Sequence, residues 1–186
     1  MAAVDATRDF VIAPSLRVGA SDHHIPFGGT LSLGPETLLS VVLDIAHSVV
    51  RAGGRRLVLI NGHGGNTGVC HAAAAAAGSR WDVAVAHLDY WDVADRSPAD
   101  GTPVPGHAGA FETSMMLAVR PELVAPRSPR DAPQLGPADL HSADVWRRID
   151  GYTDQPDRAD AAWGDEWLTE ISTALARRLV DLAGEM

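Results

Sequence analysis

Two short motifs carry side chains that could hold a metal ion or move a proton. His63 stands in segment 61–66, NGHGGN, directly after the apolar run 56–60, whereas His107 and Glu112 stand five residues apart in segment 107–114, HAGAFETS. Imidazole is the commonest metal ligand and titrates near neutral pH. A carboxylate can ligate a hard or borderline cation and help it to hold a water molecule. These residue types suit metal-assisted hydrolysis.

Each motif also has an ordinary structural interpretation. His63 could be a histidine in a tight turn with no ligand, and Glu112 could be an acidic residue in a first helical turn, favoured by the helix dipole. A Gly-rich turn between a strand and a helix could also cradle a phosphate. Neither GxxxxGK[ST] nor GxGxxG occurs there, so a nucleotide site is the third alternative.

Two further residues are candidates for contacts with a substrate. His23 and His24 are adjacent, so in an extended chain their rings point to opposite sides and only one, His24, is expected to line a pocket. Trp91 follows Tyr90 in a predicted loop and could stack on a flat substrate, with packing in the core as the alternative.

Composition excludes several classes of chemistry. The 186 residues carry a formal net charge of -9, and nucleic-acid surfaces need clustered positive charge. All 15 basic residues are arginine, which excludes a Schiff-base lysine and a phosphate-loop lysine. The single cysteine, Cys70, cannot form an internal disulfide, so a reducing cytoplasm is expected. We find no export signal and no apolar run long enough to cross a bilayer.

Alternating apolar runs and periodic segments place these motifs on a predicted α/β scaffold. The run 56–60 is short and apolar throughout, which is typical of a parallel strand covered on both faces. Segment 120–160 is rich in Pro, Asp and Arg and is expected to be irregular. The predicted elements are strands at 10–13, 56–60 and 83–86, and helices at about 35–52, 67–77, 108–119 and 163–183.

This alternation predicts one domain, residues 1–186, with a three-layer α/β/α architecture around a mostly parallel sheet. Ligands of open α/β sheets bind at the carboxyl ends of the strands. We therefore expect segments 61–66 and 107–114 to face the same crevice.

Segments 61–66 and 107–114, together with segment 19–33 (GASDHHIPFGGTLSL), resemble the creatininase superfamily, which includes creatinine amidohydrolases and the mycofactocin-system peptidase. The resemblance covers about residues 10 to 120. It implies a divalent metal centre, usually of two ions, with zinc the first choice and manganese or iron the others. It also implies hydrolysis of a C–N bond, amide or cyclic amide, by a metal-activated water, and a homo-oligomer acting on a small amide or peptide-like substrate.

Matched position by position, the resemblance assigns His63 and Glu112 as metal ligands, which we expect to converge on the same cation, and it assigns His107 to proton transfer. It also matches Trp91 to a tryptophan that stacks on the substrate. Creatinine-cleaving members have a glutamate ligand where this chain has Gly65, which argues against creatinine itself.

The chain is also expected to lack the N-terminal strand and metal-ligand block of the family. The alternative function is therefore a catalytically inactive relative, a creatininase-like binding or partner subunit that has lost part of its metal site.

Overall fold

The computed structural model describes residues 10–94, 101–129, 131–133 and 142–186. They group into two compact units. The first unit comprises the described residues up to Asp22 together with Leu31–Val93 and Ala174–Met186. The second unit comprises His23–Thr30 and the described residues from Ala94 to Thr173. The prediction of a single domain stays a prediction.

The first helix, α1, spans Pro35–Arg51, as its periodicity predicts. Proline suits the first helical position because the amide hydrogen that it lacks would have no partner there. The chain turns away from the helix at Gly53, whose φ of 93° favours glycine. The buried face of the helix carries Leu38, Leu43 and Ala46, while Ile45 remains 36% exposed.

The sheet of the first unit pairs two parallel strands, β1 (Arg56–Asn61) and β2 (Ala84–Asp89). Helix α2 (Thr67–Arg80) connects them, as parallel pairing requires. The register aligns Asn61 with Asp89. Both strands therefore end at the same edge of the sheet, directly before the candidate residues.

The core of the first unit lies between α1, α2 and the start of β2. Leu43 and Ala46 of α1 contact Ala77 of α2 and Val83, and all four are buried. Alanine at position 77 lets the two helices approach closely because its side chain is small. Partly buried apolar side chains surround this cluster, namely Leu39, Val50, Leu57, Ala76, Trp81 and Val85.

Two predictions about the first unit are wrong. Residues 10–13 form no strand, and Val11 and Ile12 are 98% and 82% exposed, because no described strand lies beside them to complete a hydrogen-bonded ladder. Helix α2 continues to Arg80 instead of ending before Gly78. A glycine inside a helix lowers stability but does not by itself end the helix.

The second unit is mainly helical. It contains α3 (Ala110–Val119), α4 (Ala143–Arg148) and residues 161–173 of α5, which spans Ala161–Glu185. Phe111 of α3 packs on Trp167 of α5, with ring centroids 4.9 Å apart. The described part of the predicted irregular segment 120–160 thus includes the helix α4 and the 3-10 turns Pro121–Leu123 and Pro156–Arg158.

Close backbone packing joins α3 and α5. A Cβ atom at Gly164 would lie 2.0 Å from the carbonyl oxygen of Ser114. The Ser114 hydroxyl also accepts a hydrogen bond from the amide of Asp160 at 3.0 Å. Glycine at 164 is therefore required for the two helices to lie this close. Among the helices of the described residues, we find none with the length and apolarity needed to cross a membrane.

Candidate metal and proton-transfer residues

His63 is held by segment 19–21 of the first unit. Its Nε2 lies 2.9 Å from the Ser21 hydroxyl and 3.2 Å from the carbonyl oxygen of Ala20. Its backbone amide donates to the side-chain oxygen of Asn61 at 3.0 Å. The backbone and the ring of His63 are therefore anchored separately, one by the end of β1 and the other by the preceding loop.

A second contact fixes that loop to the Gly-rich turn. The Asn66 side-chain oxygen accepts a hydrogen bond from the amide of Ala20 at 2.8 Å. A Cβ atom at Gly19 would lie 2.5 Å from the same oxygen, so a larger residue at position 19 would displace Asn66. The two asparagines of segment 61–66 thus accept hydrogen bonds from the backbone on either side of the His63 ring, at His63 itself and at Ala20.

Asp89, at the end of β2, was not identified from the sequence, although its side chain contacts three polar groups near His63. Its carboxylate accepts hydrogen bonds from the Asn61 amide at 2.6 Å and the Thr67 hydroxyl at 3.1 Å. It also lies 2.9 Å from Nε2 of His87, and the two side chains are only 9% and 5% exposed. Because Asn61 in turn bonds the amide of His63, Asp89 fixes the start of the His63 turn.

Trp91 lies in the 3-10 turn Tyr90–Asp92 of the first unit, half-buried, with its ring edge-on to Tyr90 at 5.1 Å. A cavity of about 290 Å³ opens beside this turn and is lined by residues of β2, the turn, α2 and α5. Its lining residues are His71, His87, Leu88, Asp89, Asp92, Val93 and Arg178. Trp91 is not one of them, and its role in stacking on a substrate stays a prediction.

In the second unit, the structure brings His107, Glu112 and His24 together. His107 Nδ1 lies 3.8 Å from a carboxylate oxygen of Glu112, and both side chains are about one-third exposed. The ring of His24 stacks on the ring of His107, with centroids 3.9 Å apart and planes 20° from parallel. Two of the predicted site residues thus flank the His107 imidazole.

Trp146 belongs to the same cluster and was also missed. Its ring meets those of His24 and His107 edge-on, at 4.4 and 5.4 Å. Its position inside a Pro-, Asp- and Arg-rich segment was the available signal, because a large apolar side chain in such a segment needs a partner. The expectation for the adjacent histidines was wrong, since Asp22–His24 is a 3-10 turn and the rings of His23 and His24 lie 4.1 Å apart.

Glu112 has an altered acidity. Burial raises the pKa of this carboxyl above its usual value, and the negative charge of Asp154 raises it further. A hydrogen bond of 2.7 Å from the Ala108 amide partly offsets these effects by stabilising the carboxylate. Glu112 therefore retains its proton to a higher pH than an exposed glutamate does.

The donor types of these residues suit zinc or manganese, but their number does not complete a catalytic centre. A catalytic zinc site usually has three protein ligands. Within the described ranges, no group of three or more His, Cys, Asp or Glu side chains is placed to hold a metal ion. His63 belongs to the first unit and Glu112 to the second, so their convergence on one cation stays a prediction.

The fold is that of an α/β protein, and comparison with known proteins identifies the family. The family model described as "Creatininase: Creatinine amidohydrolase" matches residues 1–179. The chain therefore belongs to the creatininase family.

Relatives with curated names include two kinds of hydrolase. The chain is 36% identical over 117 residues to the mycofactocin precursor peptide peptidase of Mycolicibacterium smegmatis (strain ATCC 700084 / mc(2)155), which covers 63% of this chain and 43% of the relative. It is 40% identical over 121 residues to the creatinine amidohydrolase of Pseudomonas putida, which covers 57% of this chain and 45% of the relative. The chain thus spans less than half the length of these relatives.

Solved structures confirm the predicted α/β fold class. A crystal structure of creatinine amidohydrolase (creatininase) superposes with a TM-score of 0.75 at 29% identity, over 89% of this chain and 73% of that one. A creatininase structure titled as a manganese form superposes with a TM-score of 0.70 at 30% identity, over 83% of this chain and 67% of that one. A mutant creatininase is titled as a Zn-Zn type.

Proposed function

We propose that this chain acts in a metal-dependent amidohydrolase that cleaves a C–N bond of an amide, a cyclic amide or a peptide-like substrate. Membership of a family whose named relatives are hydrolases supports the reaction class. Zinc and manganese in the titles of solved creatininase structures support a divalent metal, with His63 and Glu112 as ligands. The described residues do not complete the centre that would hold this metal.

The observation that carries the proposal is the arrangement around His107. Its imidazole is stacked on His24, and its Nδ1 is 3.8 Å from the Glu112 carboxyl group. Cleaving an amide forms a C–O bond from water and breaks the C–N bond, and the departing nitrogen must receive a proton. An imidazole that titrates near neutral pH can deliver it. The role of His107 is therefore that of a general acid.

The neighbours of His107 define how that proton is controlled. When His107 is protonated, an ionised Glu112 would stabilise the imidazolium by attraction across 3.8 Å. His24, which is 7% exposed, covers one face of the His107 ring, and Trp146 meets that ring edge-on. His24 is also proposed to contact the substrate, as Trp91 is.

Gly65 bears on the choice of substrate. Glycine supplies no side-chain ligand at the position where creatinine-cleaving members are expected to have a glutamate. We therefore favour an amide or peptide-like substrate over creatinine. The substrate partner is a small molecule, and the protein is proposed to be a cytoplasmic homo-oligomer.

The test combines metal analysis with hydrolysis. The protein is purified, loaded separately with zinc and manganese, and assayed against creatinine, a set of linear and cyclic amides, and short peptides. His63→Ala is expected to lose bound metal and activity, whereas His107→Asn is expected to lose activity while retaining metal. His47→Gln is the control, because His47 stacks on Trp81 at 5.1 Å, away from both motifs in the sequence. Absence of retained metal together with hydrolysis unaffected by His63→Ala would refute the proposal.

The alternative is a catalytically inactive binding or partner subunit. Gly65 and the lack of a three-ligand cluster among the described residues favour it. In that case the protein would bind an amide ligand without converting it. Isothermal titration with each amide, followed by product analysis of the same sample, separates binding from turnover.

A further inference from the structure

The turn that carries His107 is held by Thr153 and Asp154, which lie 46 and 47 positions further along the chain. We call this pair of residues the clasp. The amide of His107 donates to the Thr153 hydroxyl at 2.7 Å, and its carbonyl oxygen accepts from the Thr153 amide at 3.0 Å. Both backbone hydrogen-bonding groups of His107 are therefore bound by a single residue. This pairing fixes the backbone from which the imidazole projects.

Asp154 holds the other end of the turn, where α3 begins. Its carboxylate accepts a hydrogen bond from the Ala110 amide at 2.7 Å, and the residue is 6% exposed. The N-cap residue, Gly109, has no side chain that could satisfy this amide. Asp154 therefore caps α3 through a tertiary contact, whereas an N-cap side chain ordinarily belongs to the residue at the start of the helix.

Two glycines of the turn, Gly106 and Gly109, leave room for the side chains of the clasp. A Cβ atom at Gly109 would lie 1.8 Å from a carboxylate oxygen of Asp154. A Cβ atom at Gly106 would lie 2.8 Å from the Thr153 hydroxyl, and its φ of 60° also favours glycine. Thr153 and Asp154 can therefore bind this turn only where it has glycine at positions 106 and 109. The sequence of one segment does not predict the sequence of the other.

The clasp reaches both members of the proton-transfer pair. His107 is bound directly, whereas Glu112 lies one turn into the helix that Asp154 caps, and its carboxylate accepts from Ala108 inside the same turn. A shift of the turn would therefore move the imidazole and the carboxylate relative to each other. In the structure, the two groups lie 3.8 Å apart.

We propose that Thr153 and Asp154 are positioning residues for the reaction, which hold His107 and Glu112 in register through the backbone of residues 106–110. The inference rests on the proposed function for its chemical consequence. Its structural content, that these two side chains set the position of the His107 ring, can be tested without any activity. A simple helix cap would stabilise α3 without determining where that ring lies.

The experiment compares full-length variants by NMR with labelled histidine and alanine, in metal-free protein. Thr153→Val removes the hydroxyl but keeps the branched shape, whereas Thr153→Ser keeps the hydroxyl. Asp154→Leu removes the carboxylate, whereas Asp154→Asn keeps an oxygen that can accept from Ala110. Asp165→Asn, on the exposed side of α5, is the charge-matched control.

We expect Thr153→Val and Asp154→Leu to displace the ring resonances of His107, which sense the stacked His24 ring, while those of His47 stay in place. Thr153→Ser and Asp154→Asn should restore most of the wild-type positions. Unchanged His107 resonances in folded Thr153→Val would overturn the proposal, as would equal displacement by Asp165→Asn. If Asp154→Leu fails to fold, the Val and Ser substitutions at Thr153 decide the question.

Activity gives the second measurement. With an amide substrate, Thr153→Val is expected to lower kcat by about 10- to 100-fold and to change KM less, since misplacing a catalytic group by about 1 Å can cost that much. A change confined to KM would contradict a positioning role. If the wild type has no activity but the His107 resonances respond as expected, the proposed function fails and the clasp stands.

Discussion

Replacement of Asp89 tests the architecture around His63 most directly. Its carboxylate accepts hydrogen bonds from Asn61 and Thr67 and lies 2.9 Å from Nε2 of His87, in a site where the Asp89 side chain is 9% exposed. Alanine leaves these groups without that acceptor, and each unsatisfied buried group costs about 1–3 kcal/mol. The costs are not additive because the groups can relax together. We therefore expect Asp89→Ala to lower the free energy of unfolding by about 3–5 kcal/mol.

Urea unfolding monitored by tryptophan fluorescence measures this loss. Asp82→Ala is the matched control, because Asp82 precedes the same strand, is 95% exposed and pairs with Arg55 only at the surface. Its removal should cost no more than about 1 kcal/mol. Asp89→Asn should fall between the two, since an amide oxygen still accepts one hydrogen bond. Equal urea midpoints for Asp89→Ala and Asp82→Ala would show that the reasoning about Asp89 is wrong.

Three further predictions follow from other contacts. Because burial raises the pKa of Glu112, the folded protein binds the proton of this carboxyl group more tightly than the unfolded chain does. The free energy of unfolding should therefore fall as pH rises above about 4.5 through the folded pKa. In urea unfolding across pH 4–8, Glu112→Gln should not show this fall. Gly164→Ala should lower the free energy of unfolding by about 1–3 kcal/mol, because the added Cβ would clash with the backbone of α3. Gly78→Ala should raise it by about 0.5–1 kcal/mol, because the added Cβ would meet only an ordinary contact at 3.8 Å. A change of the same sign for both variants would contradict the packing described. Burial raises the pKa of the Cys70 thiol, so iodoacetamide should alkylate Cys70 more slowly at pH 7.5 than it alkylates free cysteine. Equal alkylation rates, measured by mass spectrometry, would contradict a raised thiol pKa.

Local patterns predicted the first unit well. The apolar run at 56–60 and the periodicity of residues 35–52 gave β1 and α1 to within one residue, because both signals are contained in the segment itself. The same reasoning failed at residues 10–13. A short apolar run has the composition of a strand, but a strand also needs a partner, and none is described beside it.

The candidate site was predictable only where its residues are close in sequence. His107 and Glu112 are five residues apart around a helix start, so their proximity follows from local geometry. Asp89, Trp146 and Thr153 were not predicted, because each contacts its partner across 28 or more positions of the chain. The partner is Asn61 for Asp89 and His107 for the other two. No periodicity in the sequence records such contacts.

The 46-residue separation between His107 and Thr153 has a consequence during synthesis. At about 5–20 residues per second, a ribosome makes Thr153 roughly 2 to 9 seconds after His107. Through that interval the nascent turn has neither partner for its backbone nor a cap for the helix that follows. The geometry that would move a proton therefore cannot be set until residues 153 and 154 have been made.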